Sequence, residues 1–414
     1  MRLLHTADWH LGHSLHGLPR SYEHQRFLAW LLDTLVEERI DALVVAGDVF
    51  DTANPSAQAQ QTYYRFLCDA KQRAPDLDIV VIGGNHDSAS RLDAPRELLA
   101  ALGPRVVGGL PRAEDGAIDA EQLLVELRGE SGETEALCLA LPYLRPADLP
   151  RDVEVAEGDD DLVVGMAELH RRLIDQACER LGAGQALIVT GHCYMTGSVL
   201  SELSERKILG GNQHALPVSI FGAAPAYVAL GHLHKAQTVG EGERVRYAGS
   251  PIPLSFAEAG YSHEARLIVL DGKEMVQSEP RAVPRAVEMI RLGPAPLEEI
   301  GTALDALEPL PDDAVEAERP FLEVRVALDE PEPDLRAKVE DKLEGKLPRL
   351  TRLAGEHTGT DASLGQASSA ESLAELDPEQ VFRLCWEKKY EAEPPDEMVA
   401  AFHELLAEVE EAEP

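Results

Sequence analysis

Five short polar motifs in this chain each follow an apolar run that is typical of a buried strand. The runs are rich in leucine and β-branched residues and are mostly bounded by glycine. In layered α/β folds the loops at the carboxyl ends of strands converge, so motifs far apart in sequence are expected to form one site. The motifs are Asp8-Trp9-His10, Gly47-Asp48, Gly84-Asn85-His86-Asp87, Gly191-His192 and Gly231-His232-Leu233-His234.

The side chains of these motifs are of the types that bind metal ions. They offer oxygen and nitrogen atoms but no thiolate, a donor set that favours manganese, iron or zinc over calcium or an iron-sulfur cluster. Seven such side chains suit two ions, and one carboxylate must then bridge them. The predicted ligands are Asp8, His10, Asp48, Asn85, His192, His232 and His234.

Two adjacent cations would give this site a specific chemistry. They clamp a phosphate ester and lower the pKa of a bound water, so that hydroxide attacks phosphorus in line. Phosphoester hydrolysis is therefore the expected reaction. His86, next to the predicted ligand Asn85, is placed to protonate the leaving oxygen.

Each motif also has a simpler interpretation when it is taken alone, because an aspartate or histidine after a strand is more often a turn cap or a satisfied polar residue. Their joint occurrence after five strands favours a common metal site. The remaining histidines are interpreted as surface, helix or turn residues. His13 and His16 lie near the first motif and could also touch a substrate.

Together the five motifs resemble the complete signature of the calcineurin-like metallophosphoesterases, with no motif position substituted. The flanking residues 4–12, 45–52 and 245–256 further resemble the SbcD family of bacterial nuclease subunits, which are related to the double-strand-break repair nucleases of archaea and eukaryotes. The resemblance covers most of the chain and is densest up to residue 256. It implies a layered α/β sandwich of the calcineurin-like type.

The resemblance also implies an activity and partners. A subunit of this family is a DNA exonuclease and endonuclease that uses two divalent metal ions, most simply Mn²⁺. It processes DNA ends and hairpins in repair, recombination and replication, together with an SMC-like ATPase of the SbcC type that carries a long coiled coil. It also forms a homodimer within a heterotetramer, through helices expected at residues 57–72 and 92–102. Apolar positions there are Tyr64, Phe66, Leu67, Leu98 and Leu99, unless they face their own core.

The resemblance further assigns a role to each site residue. Asp8, His10 and His234 would hold one metal ion, Asn85, His192 and His232 would hold the other, and Asp48 would bridge the two. His86 would meet the scissile phosphate. Asp51 resembles the carboxylate that hydrogen-bonds the catalytic histidine, which would fix the tautomer of that ring and keep it protonated. The alternative for Asp51 is an aspartate that caps a turn.

The chain is strongly acidic, with a formal net charge of -36 over 414 residues. A nuclease that held DNA alone would need a basic stripe, because phosphate neutralisation supplies most of the non-specific affinity. No such stripe is evident in the sequence, so we expect a partner to present the DNA. Since no secretory segment and no apolar run of membrane-spanning length are found, a cytoplasmic location is expected and a membrane is not.

The pattern of elements predicts four parts. Residues 1–282 alternate strands with helices and are expected to form the nuclease domain, whereas residues 283–354 show the strand, helix, strand, helix, strand order of a small α+β cap. Residues 355–377 resemble a flexible linker. Residues 378–414 form an amphipathic helical hairpin that either folds back on its own domain or, as we favour, docks on another chain. The predicted helices of the first part include 22–38, 57–72 and 166–181, and the cap elements are 287–292, 297–307, 321–328, 334–344 and 347–353.

Two other function classes stay open. A small-substrate phosphodiesterase or phosphatase of the same superfamily would use the same metals, and activity on a chromogenic monoester without activity on DNA would select it. A binding subunit would keep the fold without catalysis. The complete set of motif residues argues against that second class.

Overall fold

The protein is described by a computed structural model that defines residues 1–153, 155–156, 160–199, 215–328 and 332–357, together with Phe382, Trp386 and Met398. Within these residues the helices are α1 (Ser21–Glu37), α2 (Ala57–Arg73), α3 (Ala89–Asp93), α4 (Arg96–Leu102), α5 (Asp161–Arg180), α6 (Leu297–Asp305) and α7 (Leu335–Leu343). The strands are β1 (Arg2–Thr6), β2 (Ser14–Leu15), β3 (Leu18–Pro19), β4 (Ala42–Ala46), β5 (Asp78–Ile82), β6 (Arg105–Val107), β7 (Leu124–Arg128), β8 (Thr134–Leu139), β9 (Ala186–His192), β10 (Tyr227–Gly231), β11 (Gln237–Thr238), β12 (Val245–Tyr247), β13 (Glu264–Asp271), β14 (Glu274–Ala282), β15 (Met289–Pro296), β16 (Phe321–Leu328) and β17 (Arg349–His357).

Two six-stranded sheets carry the predicted ligands. The first has the order β14-β13-β1-β4-β5-β6, in which β1, β4, β5 and β6 run parallel. The second has the order β11-β12-β10-β9-β8-β7, in which β8, β9, β10 and β12 run parallel. The strands that precede the five motifs are therefore neighbours, three in one sheet and two in the other.

Strand β4 shows how the first sheet buries both of its faces. Ala42, Val44 and Ala46 belong to a hydrophobic cluster that both sheets share. Leu43 and Val45 belong to a second cluster, which also contains the apolar residues of α1 and α2. The two sets alternate because successive side chains of a strand point to opposite faces. Burial on both faces explains the continuous apolar run in the sequence.

The long helices of the α/β part confirm the predicted ones, with one informative shift. Helices α1 and α2 lie within one residue of the predicted ends, whereas α5 begins at Asp161 and not at Met166. The carboxylate of Asp160 accepts hydrogen bonds from the backbone N–H groups of Leu162 (2.9 Å) and Val163 (3.3 Å). Because of this N-cap, the helix begins at Asp161, before its predicted start.

The helix predicted over residues 92–102 is interrupted. Pro95 separates α3 from α4, because proline has no N–H to donate within a helix. Three of the apolar residues considered for a dimer interface, Phe66, Leu67 and Leu99, are instead buried in their own core. This was the stated alternative for these positions. Leu98, by contrast, is 67% exposed.

The chain divides into two compact units. The first comprises Met1–Ile290, Leu310–Phe321 and Leu347–Thr351. The second comprises Arg291–Pro309, Leu322–Lys346 and the described residues from Arg352 onward. All the predicted ligands lie in the first unit.

The second unit contains most of a three-stranded sheet with the order β15-β16-β17, together with α6 and α7. The predicted strand, helix, strand, helix, strand order is confirmed, with shifted ends. Strand β17 continues to His357, so residues 355–357 belong to the sheet and not to the predicted linker. Apart from Phe382, Trp386 and Met398, the rest of the linker and the hairpin at 378–414 lie outside the described residues.

Among the described helices, none combines the length and the apolar composition that crossing a bilayer requires.

Candidate metal centre

The predicted ligands all lie at the carboxyl ends of parallel strands. Asp8 and His10 follow β1, Asp48 follows β4, and Asn85 follows β5. In the second sheet, His192 is the last residue of β9, and both His232 and His234 follow β10. The loops of the two sheets meet at this edge, and the contacts below bring all seven side chains together.

Four of the seven residues have left-handed backbone conformations. The φ angles are 54° at Asp8, 46° at His10, 49° at Asp48 and 104° at His232. This region is unfavourable for residues that carry a Cβ, and such conformations persist only where the surrounding structure enforces them. The concentration of four in one place indicates that the loops are shaped for a function.

The glycines of the motifs allow the loops to approach one another closely. A Cβ at Gly84 would collide with the carboxylate and the backbone nitrogen of Asp48. A Cβ at Gly231 would collide with the carbonyl oxygen of Ala46. Glycine therefore precedes Asn85 and His232 because no other residue fits there.

One group of ligands consists of Asp8, His10 and His234, whose ligand atoms lie within 4.8 Å of one another. All three side chains are buried. Oδ1 of Asp8 accepts the backbone N–H of His232 at 2.9 Å. Oδ2 of Asp8 and Nε2 of His10 have no hydrogen-bond partner within the described part of the chain. Buried polar atoms normally have partners, and a cation would supply one.

A second group consists of Asn85, His192 and His232. Oδ1 of Asn85 lies 3.0 Å from Nε2 of His192 and 3.0 Å from Nδ1 of His232. The other ring nitrogen of His192, Nδ1, lies 2.9 Å from the carbonyl oxygen of Ala46 and donates to it. That hydrogen bond fixes the orientation of the ring and directs Nε2 toward the centre.

Asp48 lies between the two groups. Its Oδ2 is 3.5 Å from Nε2 of His10 and 3.3 Å from Nε2 of His192, while its Oδ1 accepts the backbone N–H of His86 at 2.8 Å. Burial opposes ionisation of Asp48, but the charge and hydrogen bond of His192, followed by His10, hold the pKa of this carboxyl well below its usual value. A carboxylate oxygen that faces a ligand of each group is placed to bridge two cations.

The structure corrects the predicted partner of His86. Nδ1 of His86 lies 2.8 Å from the backbone carbonyl oxygen of Asp51, to which it donates. The carboxylate of Asp51 instead lies 3.3 Å from Nδ1 of His10. Asp51 therefore contacts both histidines, but with different atoms from those expected.

Sequence reasoning missed two buried carboxylates. Asp87 accepts the backbone N–H groups of Val49 (3.1 Å), Phe50 (2.9 Å) and Gly84 (2.9 Å), and thereby ties two ligand loops together. Glu258 lies 3.0 Å from Nδ1 of His234. Asp87 is the last residue of the third motif, so its position in the sequence indicated a role at the site. Glu258 lies 24 residues from its partner, at the end of a short 3-10 helix (Phe256–Glu258), so no local pattern indicates it.

The donor set fits divalent cations. Asp8, Asp48 and Asn85 offer oxygen atoms and the four histidines offer nitrogen atoms, which together suit first-row metals of the manganese, iron and zinc type. Within the described residues, the buried atoms without hydrogen-bond partners and the position of Asp48 fit bound cations. The residues present thus form a binding site for divalent metal ions.

Comparison with known proteins agrees with this geometry. Residues 1–236 match the family model of the calcineurin-like phosphoesterases, and residues 284–390 match the model described as the type 5 capsule protein repressor C-terminal domain. The chain is 42% identical to the D subunit of the nuclease SbcCD of Rhodobacter capsulatus over 92% of this chain and 93% of that protein. It is 34% identical to the protein of the same name from Escherichia coli K12, over 92% of both chains.

A third relative carries the same name. This protein of Bacillus subtilis is 36% identical over 65% of this chain and 66% of its own length. The two more extensive matches run through both ligand-bearing sheets and the α+β unit. The chain therefore belongs to the calcineurin-like phosphoesterases and, within them, to the SbcD family of nuclease subunits.

Proposed function

We propose that the chain is the nuclease subunit of an SbcCD-type complex and hydrolyses phosphodiester bonds of DNA at the centre described above. The observation that carries the proposal is the position of Asp48, whose Oδ2 faces His10 of one ligand group and His192 of the other. The relatives that cover more than nine-tenths of this chain are named as nuclease subunits, which selects DNA over other phosphate esters.

In this proposal Asp8, His10 and His234 hold one ion, Asn85, His192 and His232 hold the other, and Asp48 bridges them. When bound, two such ions would neutralise the phosphate and lower the pKa of a water that attacks it. The nitrogen and oxygen donors without thiolate make Mn²⁺ our choice of metal.

His86 serves the leaving group. Because its Nδ1 donates to the carbonyl oxygen of Asp51 at 2.8 Å, the ring is fixed and its Nε2 is left to act on the substrate. In the doubly protonated ring, the proton on Nε2 would pass to the departing deoxyribose oxygen and leave a neutral imidazole that still donates from Nδ1. The side chain is only partly buried, so a DNA strand can reach it.

The ATPase is proposed to present the DNA. With a net charge of -36, the chain lacks the excess of cations that a long phosphate track requires. A partner of the SbcC type would supply that track and would be recruited by the hairpin at residues 378–414. We also propose the predicted division at residues 282 and 377, with the boundary between cap and linker moved from residue 354 to residue 357, where β17 ends. The proposed location is the cytoplasm.

A homodimer is proposed through α4. Leu98 and Leu102 lie one turn apart on this helix and are 67% and 51% exposed. Exposed leucines on successive turns form an apolar strip of the kind that a protein partner covers. A second copy of the chain would cover it and bring two metal centres to one DNA end.

The proposal is tested by incubating the full chain with linear duplex DNA and Mn²⁺, with and without the ATPase and ATP. We expect metal-dependent cleavage that the ATPase strongly stimulates and that a chelator abolishes. Hydrolysis of a chromogenic monoester without any cleavage of DNA would instead identify a small-substrate phosphatase.

The role of the hairpin is tested with a chain that ends at His357, which keeps β17 complete. We expect this variant to bind metal and hydrolyse small phosphodiesters as the full chain does, but not to co-purify with the ATPase. Full binding of the ATPase by the shortened chain would refute recruitment by the hairpin.

A further inference from the structure

We propose that Glu258 is a positioning residue that holds His234 in the orientation and tautomer needed to bind metal, an inference that rests on the proposed two-metal site. The side chain of Glu258 is completely buried. Its Oε1 lies 3.0 Å from Nδ1 of His234, and its Oε2 accepts the backbone N–H of Leu254 at 2.8 Å. Both carboxylate oxygens are therefore engaged, and the group has a defined direction.

The contact determines which nitrogen of His234 is available. An ionised carboxylate can only accept hydrogen bonds, so Nδ1 of His234 carries the hydrogen of this bond and donates it to Glu258. Nε2 then carries the lone pair that a metal ion needs. Asp8 and His10 supply the other ligand atoms of this group, within 4.8 Å. In metal sites a carboxylate behind a histidine fixes the ring and makes its free nitrogen more basic.

The loop around Glu258 is itself tied to His234. The backbone N–H of Ser250 donates to the carbonyl oxygen of His234 at 3.0 Å. His263 then joins the carbonyl oxygens of Ser250 (2.8 Å from Nδ1) and Glu258 (3.3 Å from Nε2). Burial lowers the pKa of His263, so the neutral ring has one N–H and donates to only one of these carbonyl oxygens. The backbone N–H of Glu258 donates to the carbonyl oxygen of Ser255 at 3.1 Å, which holds the Glu258 backbone in place.

The two ligand groups differ in what stands behind their histidines. Behind His234 is the hydrogen-bonded carboxylate of Glu258, and 3.3 Å from Nδ1 of His10 is the carboxylate of Asp51, a contact at salt-bridge distance without hydrogen-bond geometry. Within the described residues, the partner behind Nδ1 of His192 is a neutral carbonyl, that of Ala46. Because negative charge behind an imidazole strengthens its bond to a cation, the group of Asp8, His10 and His234 is the tighter of the two sites. The two ions should therefore bind in order.

The test is a calorimetric titration of the metal-free full chain with Mn²⁺. The wild-type chain should show two classes of site with different affinities. Glu258→Gln keeps the size of the side chain but removes its charge, and it should weaken only the tighter class, by about 10- to 100-fold. The matched control is Glu264→Gln, which removes another buried carboxylate, one that is paired with Arg246 and Arg266 and not with a ligand.

The outcomes separate this inference from the proposed function. Two classes with unchanged affinities in Glu258→Gln would overturn the role of Glu258 and leave the two-metal function standing. Weakening of only the looser class, or an equal effect of Glu264→Gln, would also overturn it. Failure of the wild-type chain to bind Mn²⁺ would refute the function itself. Should the glutamine variant not fold, Glu258→Asp, which withdraws the carboxylate from Nδ1, should give the same selective loss.

Discussion

Among single residues, the pKa values of buried groups in the metal centre are shifted by burial and by neighbouring charges. Burial raises the pKa of Asp8 to about 7. Burial disfavours protonation of His192, but Asp48 outweighs it and raises the pKa of that ring to about 9. In the metal-free chain a proton on His192 thus partly compensates the carboxylates. Metal binding would displace that proton, because ligand histidines bind in their neutral form.

Substitution of His86 distinguishes metal binding from catalysis. If His86 acts on the leaving oxygen and does not bind metal, His86→Ala should retain both ions while DNA hydrolysis falls by about 100-fold or more. Metal content by elemental analysis and cleavage rates under the same conditions check this. Loss of metal comparable to that of an Asp48→Ala variant would make His86 a ligand instead.

The burial of His5 predicts that the free energy of unfolding depends on pH, for a reason unrelated to metal binding. His5 is fully buried in β1, with Nδ1 2.9 Å from the hydroxyl of Tyr227. Burial, followed by Arg246, lowers the pKa of His5 from 6.5 to about 3. The unfolded chain therefore takes up this proton first, so the stabilisation is complete above pH 6.5 and is lost as pH falls toward 3.

We expect the free energy of unfolding of the metal-free chain to fall by up to about 1.4 kcal/mol per pH unit in this window because of His5. Urea denaturation at several pH values measures the slope. His5→Gln should reduce that slope, whereas His16→Gln, at an exposed position, should not. Equal slopes for wild type and His5→Gln would contradict the expectation.

At the scale of elements, the sequence predicted the ligand-bearing strands because each is buried on both faces and forms a continuous apolar run. Strand β14 gave no such signal. The side chains of β14 (Glu274–Ala282) are all at least partly exposed at the edge of the first sheet, so its sequence lacks a buried stripe. The pairing of Asp51 with His10 and of Glu258 with His234 also escaped prediction, because tertiary packing brings these loops together.

Asp87 links two of these elements, since it accepts hydrogen bonds from the loop after β4 and from Gly84 after β5. In Asp87→Asn one oxygen becomes an N–H₂ group that faces backbone donors. We expect the unfolding free energy to fall by about 1–3 kcal/mol and Mn²⁺ affinity to weaken, measured by denaturation and titration.

The matched control is Asp93→Asn, whose carboxylate accepts the backbone N–H of Gly108 at 2.9 Å and, within the described residues, makes no hydrogen bond to the loops of Asp48 or Asn85. It should leave Mn²⁺ affinity unchanged. If both variants kept the wild-type affinity, Asp87 would have no part in holding the ligands.

At the scale of the whole molecule, function depends on surfaces as well as on the centre. The apolar pattern of α2 and α4 indicated helices but could not separate core from surface: the fold buries Leu99 in its own core and leaves Leu98 and Leu102 exposed. Net charge, by contrast, follows from composition alone and needs no knowledge of the packing. The excess of acidic residues predicts a partner that presents the DNA, and this stays a prediction.

The exposed strip on α4 predicts the oligomeric state. Leu98→Glu and Leu102→Glu together place two charges in the proposed interface, so the dimer should dissociate to monomers at micromolar protein in sedimentation experiments. Val276→Glu, which alters another exposed apolar residue (58%) on β14, should leave the dimer intact. A wild-type chain that sediments as a monomer at this concentration would contradict the dimer.

The most direct test of the bridged two-metal centre is the metal content of the wild-type chain and of Asp48→Ala. Each is equilibrated with Mn²⁺, the excess is removed, and the ions retained per chain are counted. Because Asp48 faces both ligand groups, we expect two ions in the wild-type chain and a marked loss in the variant, with circular dichroism unchanged. Two ions retained by Asp48→Ala, or none bound by the folded wild-type chain, would contradict a bridged two-metal centre.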